Sequence, residues 1–149
     1  MPAPSEPKSR TPRQAWMAIL ARASADNLAT LLEERQAVRH EVLKPAEAGT
    51  VMVEGRAGGS GDRFNLGEAT VTRCAIRLSS GTIGFSYALG RDRKKAESAA
   101  VIDALLQDGE AGLAKAVEAL GLAQQAARDL ASRKAAATKV DFFTMVRGE

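Results

Sequence analysis

The stretch Ala69-Thr70-Val71-Thr72-Arg73-Cys74-Ala75-Ile76-Arg77-Leu78-Ser79-Ser80-Gly81-Thr82-Ile83-Gly84-Phe85-Ser86-Tyr87-Ala88-Leu89 decides the fold. Two alternating runs flank Ser79-Ser80-Gly81. In the first, Thr70, Thr72, Cys74, Ile76 and Leu78 share one face, and Val71, Arg73, Ala75 and Arg77 share the other. In the second, Ile83, Phe85, Tyr87 and Leu89 oppose Thr82, Gly84, Ser86 and Ala88. A period of two is the signature of a strand. So short a turn returns the chain antiparallel, because a parallel return needs a long crossover. An antiparallel hairpin therefore stands at the centre of the chain.

Strand-like patterns continue upstream. Thr50–Glu54 places Val51 and Val53 on one side, and Val38, His40 and Val42 alternate with Arg39, Glu41 and Leu43 before Pro45 closes the run. The Gly-rich run from Gly55 to Arg63 reads as a loop. Further upstream the period becomes helical. Thr11 is a candidate N-cap with Pro12 at the first helical position, followed by Trp16, Met17, Ile19 and Leu20. Ser24 or Asp26 caps a second short helix carrying Leu28, Leu31 and Leu32. Downstream of Gly90 the helical period returns, with Ala96, Ala99, Ala100, Ile102, Leu105 and Leu106, then the Ala-rich segments Glu110–Leu120 and Leu122–Lys139. The expected fold is α+β: N-terminal helices, an antiparallel sheet of about four strands, and C-terminal Ala-rich helices packed on one face. The expected organisation is a mobile tail over 1–11, a single domain over 12–139 and an apolar C-terminal segment over 140–149.

Composition restricts the function. The 149 residues suffice for one domain. They include 29 alanines but only six aromatic side chains, so large core residues are scarce. No run approaches the ~20 apolar residues of a membrane span, and the N-terminus lacks the apolar region of a secretory signal. A single cysteine, Cys74, fits a reducing cytoplasm. With a single histidine, His40, beside it, the chain cannot build a usual Cys/His zinc site or hold an iron–sulfur cluster by itself. The net charge of +3 comes with interspersed acidic residues and no aromatic platform, which argues against nucleic acid as the partner.

Several residues invite a chemical reading. The loop at 55–61 lacks the Gly-Lys-Ser/Thr and the following helix of a P-loop, leaving a hairpin loop or a looser phosphate cradle. Arg91, Lys94 and Lys95 cluster at a helix start with Asp92 as candidate N-cap. They either extend into water or meet an anionic ligand or an acidic partner surface. Arg73 and Arg77 point to one sheet face, either solvated or stacked on a partner. His40 fits a half-buried structural histidine better than a general base, and Cys74 a buried, inert thiol. Phe142, Phe143, Met145 and Arg147, with Val146, form an anchor-like cluster that either folds back on the sheet or docks on another chain.

These strings together resemble a known family. Gly58-Gly59-Ser60-Gly61-Asp62-Arg63-Phe64-Asn65-Leu66-Gly67-Glu68-Ala69-Thr70 running into Val71–Ala75, Gly84–Asp92, Ala96-Glu97, Asp103-Ala104-Leu105 and Val140–Gly148 are similar to the PhnG family of the bacterial carbon–phosphorus lyase system. So is the start Arg13-Gln14-x-Trp16-Met17. The family's histidine before Ala-Glu is Lys95 here, while Glu97 is retained. The resemblance implies a cytoplasmic subunit of a hetero-oligomeric core with PhnI, PhnH and PhnJ, with PhnL and PhnK associated. It implies a part in displacing adenine from ATP by methylphosphonate, forming α-D-ribose 1-methylphosphonate 5-triphosphate. ATP with Mg is then a substrate of the complex, no cofactor is held by this chain alone, and no catalytic residue is assigned to it. The implied role is mainly assembly; the alternative is a contribution of basic residues to an ATP or phosphonate site at the interface with PhnI.

Overall fold

A computed structural model describes residues 10–35, 38–59 and 61–140. Helices α1 (Pro12–Arg22) and α2 (Ala25–Glu33) lead into strands β1 (His40–Arg56), β2 (Arg63–Leu78) and β3 (Ile83–Leu89), followed by α3 (Arg93–Gln107) and α4 (Ala111–Ala137). The arrangement is α+β, with one antiparallel sheet in the order β1-β2-β3.

The expected caps form. The Thr11 side chain accepts from the Gln14 amide and Gln14 reaches back to the Thr11 amide, a capping box with Pro12 behind it. Ser24, not Asp26, caps α2, and Asp92 caps α3 by accepting from Lys95 N at 3.1 Å.

The sheet has three described strands where the sequence suggests about four. The runs around Val42 and Val51 are one strand, because β1 passes through Pro45 without ending. Pairing with β2 is irregular between Val42 and Lys44 and again between Lys44 and Glu47. β1 is an edge strand, so the missing amide hydrogen of Pro45 is tolerated at such a bulge. The two Ala-rich segments after Glu110 are likewise a single helix, α4.

The layer between sheet and helices is built from small residues. Thr72, Cys74, Ile76 and Leu78 of β2 are buried, as are Ser86 and Ala88 of β3 and Ala96, Ala99, Ala100 and Ala104 of α3. Gly84 lets α3 come close: a Cβ there would sit 2.0 Å from the Ala100 carbonyl oxygen. Two residues along, the Ser86 hydroxyl donates to the Ala96 carbonyl at 2.6 Å. The opposite, large apolar face of β3 is therefore turned outward.

The elements are tied together at Asp103, a fully buried carboxylate on α3. Arg13 of α1 donates through Nε at 3.2 Å and through Nη2 at 2.9 Å. Trp16 Nε1 donates at 2.8 Å, the Phe85 backbone amide at 3.0 Å and Gln107 Nε2 at 3.1 Å. The hydrogen bonds to Asp103 raise the already high pKa of Arg13, against the smaller opposing effect of its partial burial.

Beyond Thr50 and Thr70 the β1–β2 ribbon has no third strand among the described residues, since β3 reaches only to the Val71–Leu89 pair. It runs on to the Arg56–Arg63 pair, roughly 20 Å at the usual strand rise, and a short 3-10 turn at Ala57–Gly59 lies in its loop. The run read as a loop from Gly55 to Arg63 is shorter than expected: Gly55 and Arg56 belong to β1 and Arg63 to β2, because the two strands stay paired up to the turn. α4 also departs from the core: Leu113 and Val117 are buried, whereas Leu122 and Leu130 are exposed.

Replacing Asp103 by Ala strands the Trp16 and Phe85 donors and the Arg13 charge, and is expected to cost about 3–5 kcal/mol in urea denaturation. Gly84→Ala is expected to cost about 1–3 kcal/mol by forcing α3 off the sheet.

Candidate functional site

Two features stand out once the core is accounted for. The first is a cavity of about 320 Å³ between α2, the start of β1 and α3. From α3 it takes Lys94, Glu97, Ser98 and Val101, which fall at i, i+3, i+4 and i+7 and so share one helix face. Leu32 and Arg35 line it from the α2 side, and Val38 and His40 from the start of β1.

The charges around this cavity are mostly paired. Arg35 donates to Glu110 at 2.9 Å and to the Leu31 carbonyl at 2.8 Å. His40 Nε2 lies 2.7 Å from Glu97 Oε1, with Nδ1 3.4 Å from the Val38 carbonyl. Lys94 has no acidic partner within salt-bridge distance among the described residues, and the Ser98 hydroxyl makes no hydrogen bond among them. The structure thus separates the three clustered cations. Lys94 lines the cavity, Lys95 donates to the Leu89 carbonyl at 3.1 Å, and Arg91 lies exposed before the Asp92 cap.

The second feature is the outer sheet face. Register places Val71 opposite Leu89, Arg73 opposite Tyr87, Ala75 opposite Phe85 and Arg77 opposite Ile83. Ile83, Phe85, Tyr87 and Leu89 are 36%, 45%, 51% and 44% exposed, so a four-residue apolar stripe faces solvent. The Arg73 guanidinium lies 5.8 Å from the centroid of the Tyr87 ring, and Arg13 lies 5.8 Å from that of Phe85. Each stack is worth roughly 0.5–1 kcal/mol at an exposed site. Arg77 lies 3.8 Å from Glu41 of β1. The sequence-predicted pair Arg73 and Arg77 therefore shares one face, with aromatic neighbours from β3. Phe142, Phe143, Met145 and Arg147 lie outside the described residues, as do residues 1–9 of the expected tail.

Residues 11–148 match the family model for phosphonate metabolism protein PhnG. The chain belongs to the PhnG family. It is 44% identical over 144 residues to the alpha-D-ribose 1-methylphosphonate 5-triphosphate synthase subunit PhnG of Rhizobium meliloti (strain 1021). That alignment covers 92% of this chain and 90% of the relative.

The PhnG strings noted in the sequence are partly structural. Asp103, Arg13 and Trp16 form one hydrogen-bonded group, which no local spacing announces because 90 and 87 residues separate the partners. The pairing of His40 with Glu97 across 57 residues was equally invisible. Only the α3 stripe of Lys94, Glu97, Ser98 and Val101 was readable as a helix face. Among the described residues no cluster of His, Cys, Asp and Glu could hold a metal ion, and no helix is long and apolar enough to cross a membrane.

Cys74 is buried, as its strand pattern suggested. Burial raises its thiol pKa, and the nearby Glu97 charge raises it further, against a smaller lowering by the Ala75 backbone. The thiol is therefore expected to react with a disulfide reagent at neutral pH at least about tenfold more slowly in the native chain than in urea. Equal rates would contradict the burial.

Proposed function

We propose that this chain is an assembly subunit of an alpha-D-ribose 1-methylphosphonate 5-triphosphate synthase, docking on a larger subunit through the outer face of its sheet. The observation that carries this reading is the exposed stripe of Ile83, Phe85, Tyr87 and Leu89 flanked by Arg73 and Arg77. Aromatic and arginine side chains are the usual anchors of a protein interface, and an apolar stripe on a sheet gains most from being covered. The β1–β2 ribbon supports the same reading. Met52, Val53, Phe64 and Leu66 are exposed on it, and a lone two-stranded hairpin is marginal in water.

The partners are those implied by family resemblance: PhnI, PhnH and PhnJ in the core, with PhnL and PhnK associated. A larger subunit of that core takes the outer sheet face, and Phe142, Phe143, Met145 and Arg147, which lie outside the described residues, are further candidate anchors for a partner. ATP with Mg and methylphosphonate are substrates of the assembled complex in the cytoplasm. No cofactor is held by this chain alone, and catalysis resides in the neighbours.

Co-expression with PhnI, PhnH and PhnJ tests the assignment. The double substitution Tyr87→Glu and Leu89→Glu is expected to abolish co-purification while leaving the chain's melting temperature within a few degrees, because both side chains are exposed on the outer face and, unlike Phe85, neither stacks with Arg13. Co-purification at the level of the unsubstituted chain would refute the docking face. Adenine release from ATP and methylphosphonate by the isolated chain would refute the assembly role.

A further inference from the structure

We propose that the cavity between α2, β1 and α3 binds a small oxyanion of the phosphonate or phosphate class, with the Lys94 ammonium and the Ser98 hydroxyl as its donors. The choice of phosphonate as preferred ligand rests on the synthase reading above; the site itself rests on the cavity.

Three observations support it. At about 320 Å³ the cavity is near the lower end of ligand-site volumes, which run roughly from 300 to 1,000 Å³, so a ligand of few heavy atoms fits it. Its lining cations differ in how they are held. Arg35 is held by Glu110 and His40 by Glu97, leaving Lys94 as the lining cation without an ion-pair partner among the described residues. Lys94 is exposed, so its ammonium can turn onto an anion at the cavity mouth in a charge-assisted hydrogen bond. Finally, Leu32, Val38 and Val101 supply an apolar wall that phosphate cannot use. An alkylphosphonate presents an oxyanion at one end and an alkyl group at the other, which matches the Lys94 ammonium, the Ser98 hydroxyl and the three aliphatic side chains; the remaining lining groups, Arg35, His40 and Glu97, are already engaged by hydrogen bonds within the chain.

His40 and Glu97 line the cavity as a hydrogen-bonded pair. Both ring nitrogens of His40 face oxygens of the chain itself, so the imidazole is oriented by the protein and does not depend on a ligand for its position. Glu97 is turned toward His40, which keeps a carboxylate oxygen engaged next to the anion site. Lys95 and Arg91, the other two clustered cations, are not among the lining residues, which gives the proposal an internal control.

The chain carries its own reporters. His40 is its sole histidine and Trp16 its sole tryptophan, so each gives a single assignable side-chain signal in a nuclear magnetic resonance spectrum of the untagged full chain. The Trp16 indole proton, held by Asp103, reports that each sample is folded. Methylphosphonate is expected to shift the His40 ring signals saturably. Inorganic phosphate is expected to bind about fourfold more weakly, the worth of one buried methyl group. Lys94→Ala is expected to weaken binding at least about tenfold with the Trp16 signal unchanged, and Arg91→Ala to leave it unaltered. Phosphate binding tighter than methylphosphonate would assign the same oxyanion site to phosphate. No saturable shift, an equal response to sulfate, or unchanged affinity in Lys94→Ala would overturn the proposal. Lys94 lies at the cavity on α3 and not on the outer sheet face proposed for docking, so failure of the site and failure of the assembly reading are told apart.

Discussion

The structure depends on one buried carboxylate. Asp103 stands on the face of α3 that meets the sheet, where an unpaired charge would be strongly destabilising. It is tolerated because four groups from three elements converge on it: the forked guanidinium of Arg13 and the indole of Trp16 from α1, the Phe85 amide from β3 and Gln107 from α3 itself. The arrangement fixes where α1 lies along β3 and α3, more tightly than the apolar contacts of a helix with a modest hydrophobic face could. The guanidinium is also used twice, since the Arg13 side chain that reaches Asp103 passes over the Phe85 ring on the outer face. Core and outer surface are thus linked through one side chain.

Small residues set the rest. Gly84, Ser86 and Ala88 on β3, against Ala96, Ala99, Ala100 and Ala104 on α3, allow a helix and a sheet to approach more closely than larger side chains would permit. Such packing buries little area for each residue, so stability must come from fit and from hydrogen bonds such as Ser86 to Ala96. The large side chains of β3 are displaced to the other side of the sheet. A thin internal core and a rich external stripe are two results of the same strand alternation.

Local signals in the sequence were legible and long-range ones were not. The caps at Thr11, Ser24 and Asp92, the period-two runs of β2 and β3 and the antiparallel turn at Ser79-Ser80-Gly81 follow from neighbours within a few residues. Pro45 misled because a proline ends a central strand but not an edge strand with a bulge, and strand order is a tertiary fact. Alternation separated the two faces of β3 but could not say which one lies inside; the small-residue face does, because α3 is rich in alanine. The cation cluster after Gly90 was visible as a cluster. Its division among a cavity wall, a carbonyl contact and an exposed loop position depends on helix phase and on residues far away in sequence, and so does the meeting of His40 with Glu97.

The ribbon beyond Thr50 and Thr70 has a consequence for how the chain can vary. Most side chains from Glu54 to Glu68 are well exposed, and the backbone ladder that holds the ribbon together is indifferent to most residue types. Away from its glycines, whose backbone or close contacts exclude a side chain, substitutions there are expected to leave the folding equilibrium of the separate polypeptide nearly untouched. Whatever restrains the other positions of that arm must therefore lie outside the chain. Thermal melts of the single protein are blind to it, and exchanging the arm between relatives would register only as compatibility or incompatibility with neighbouring subunits.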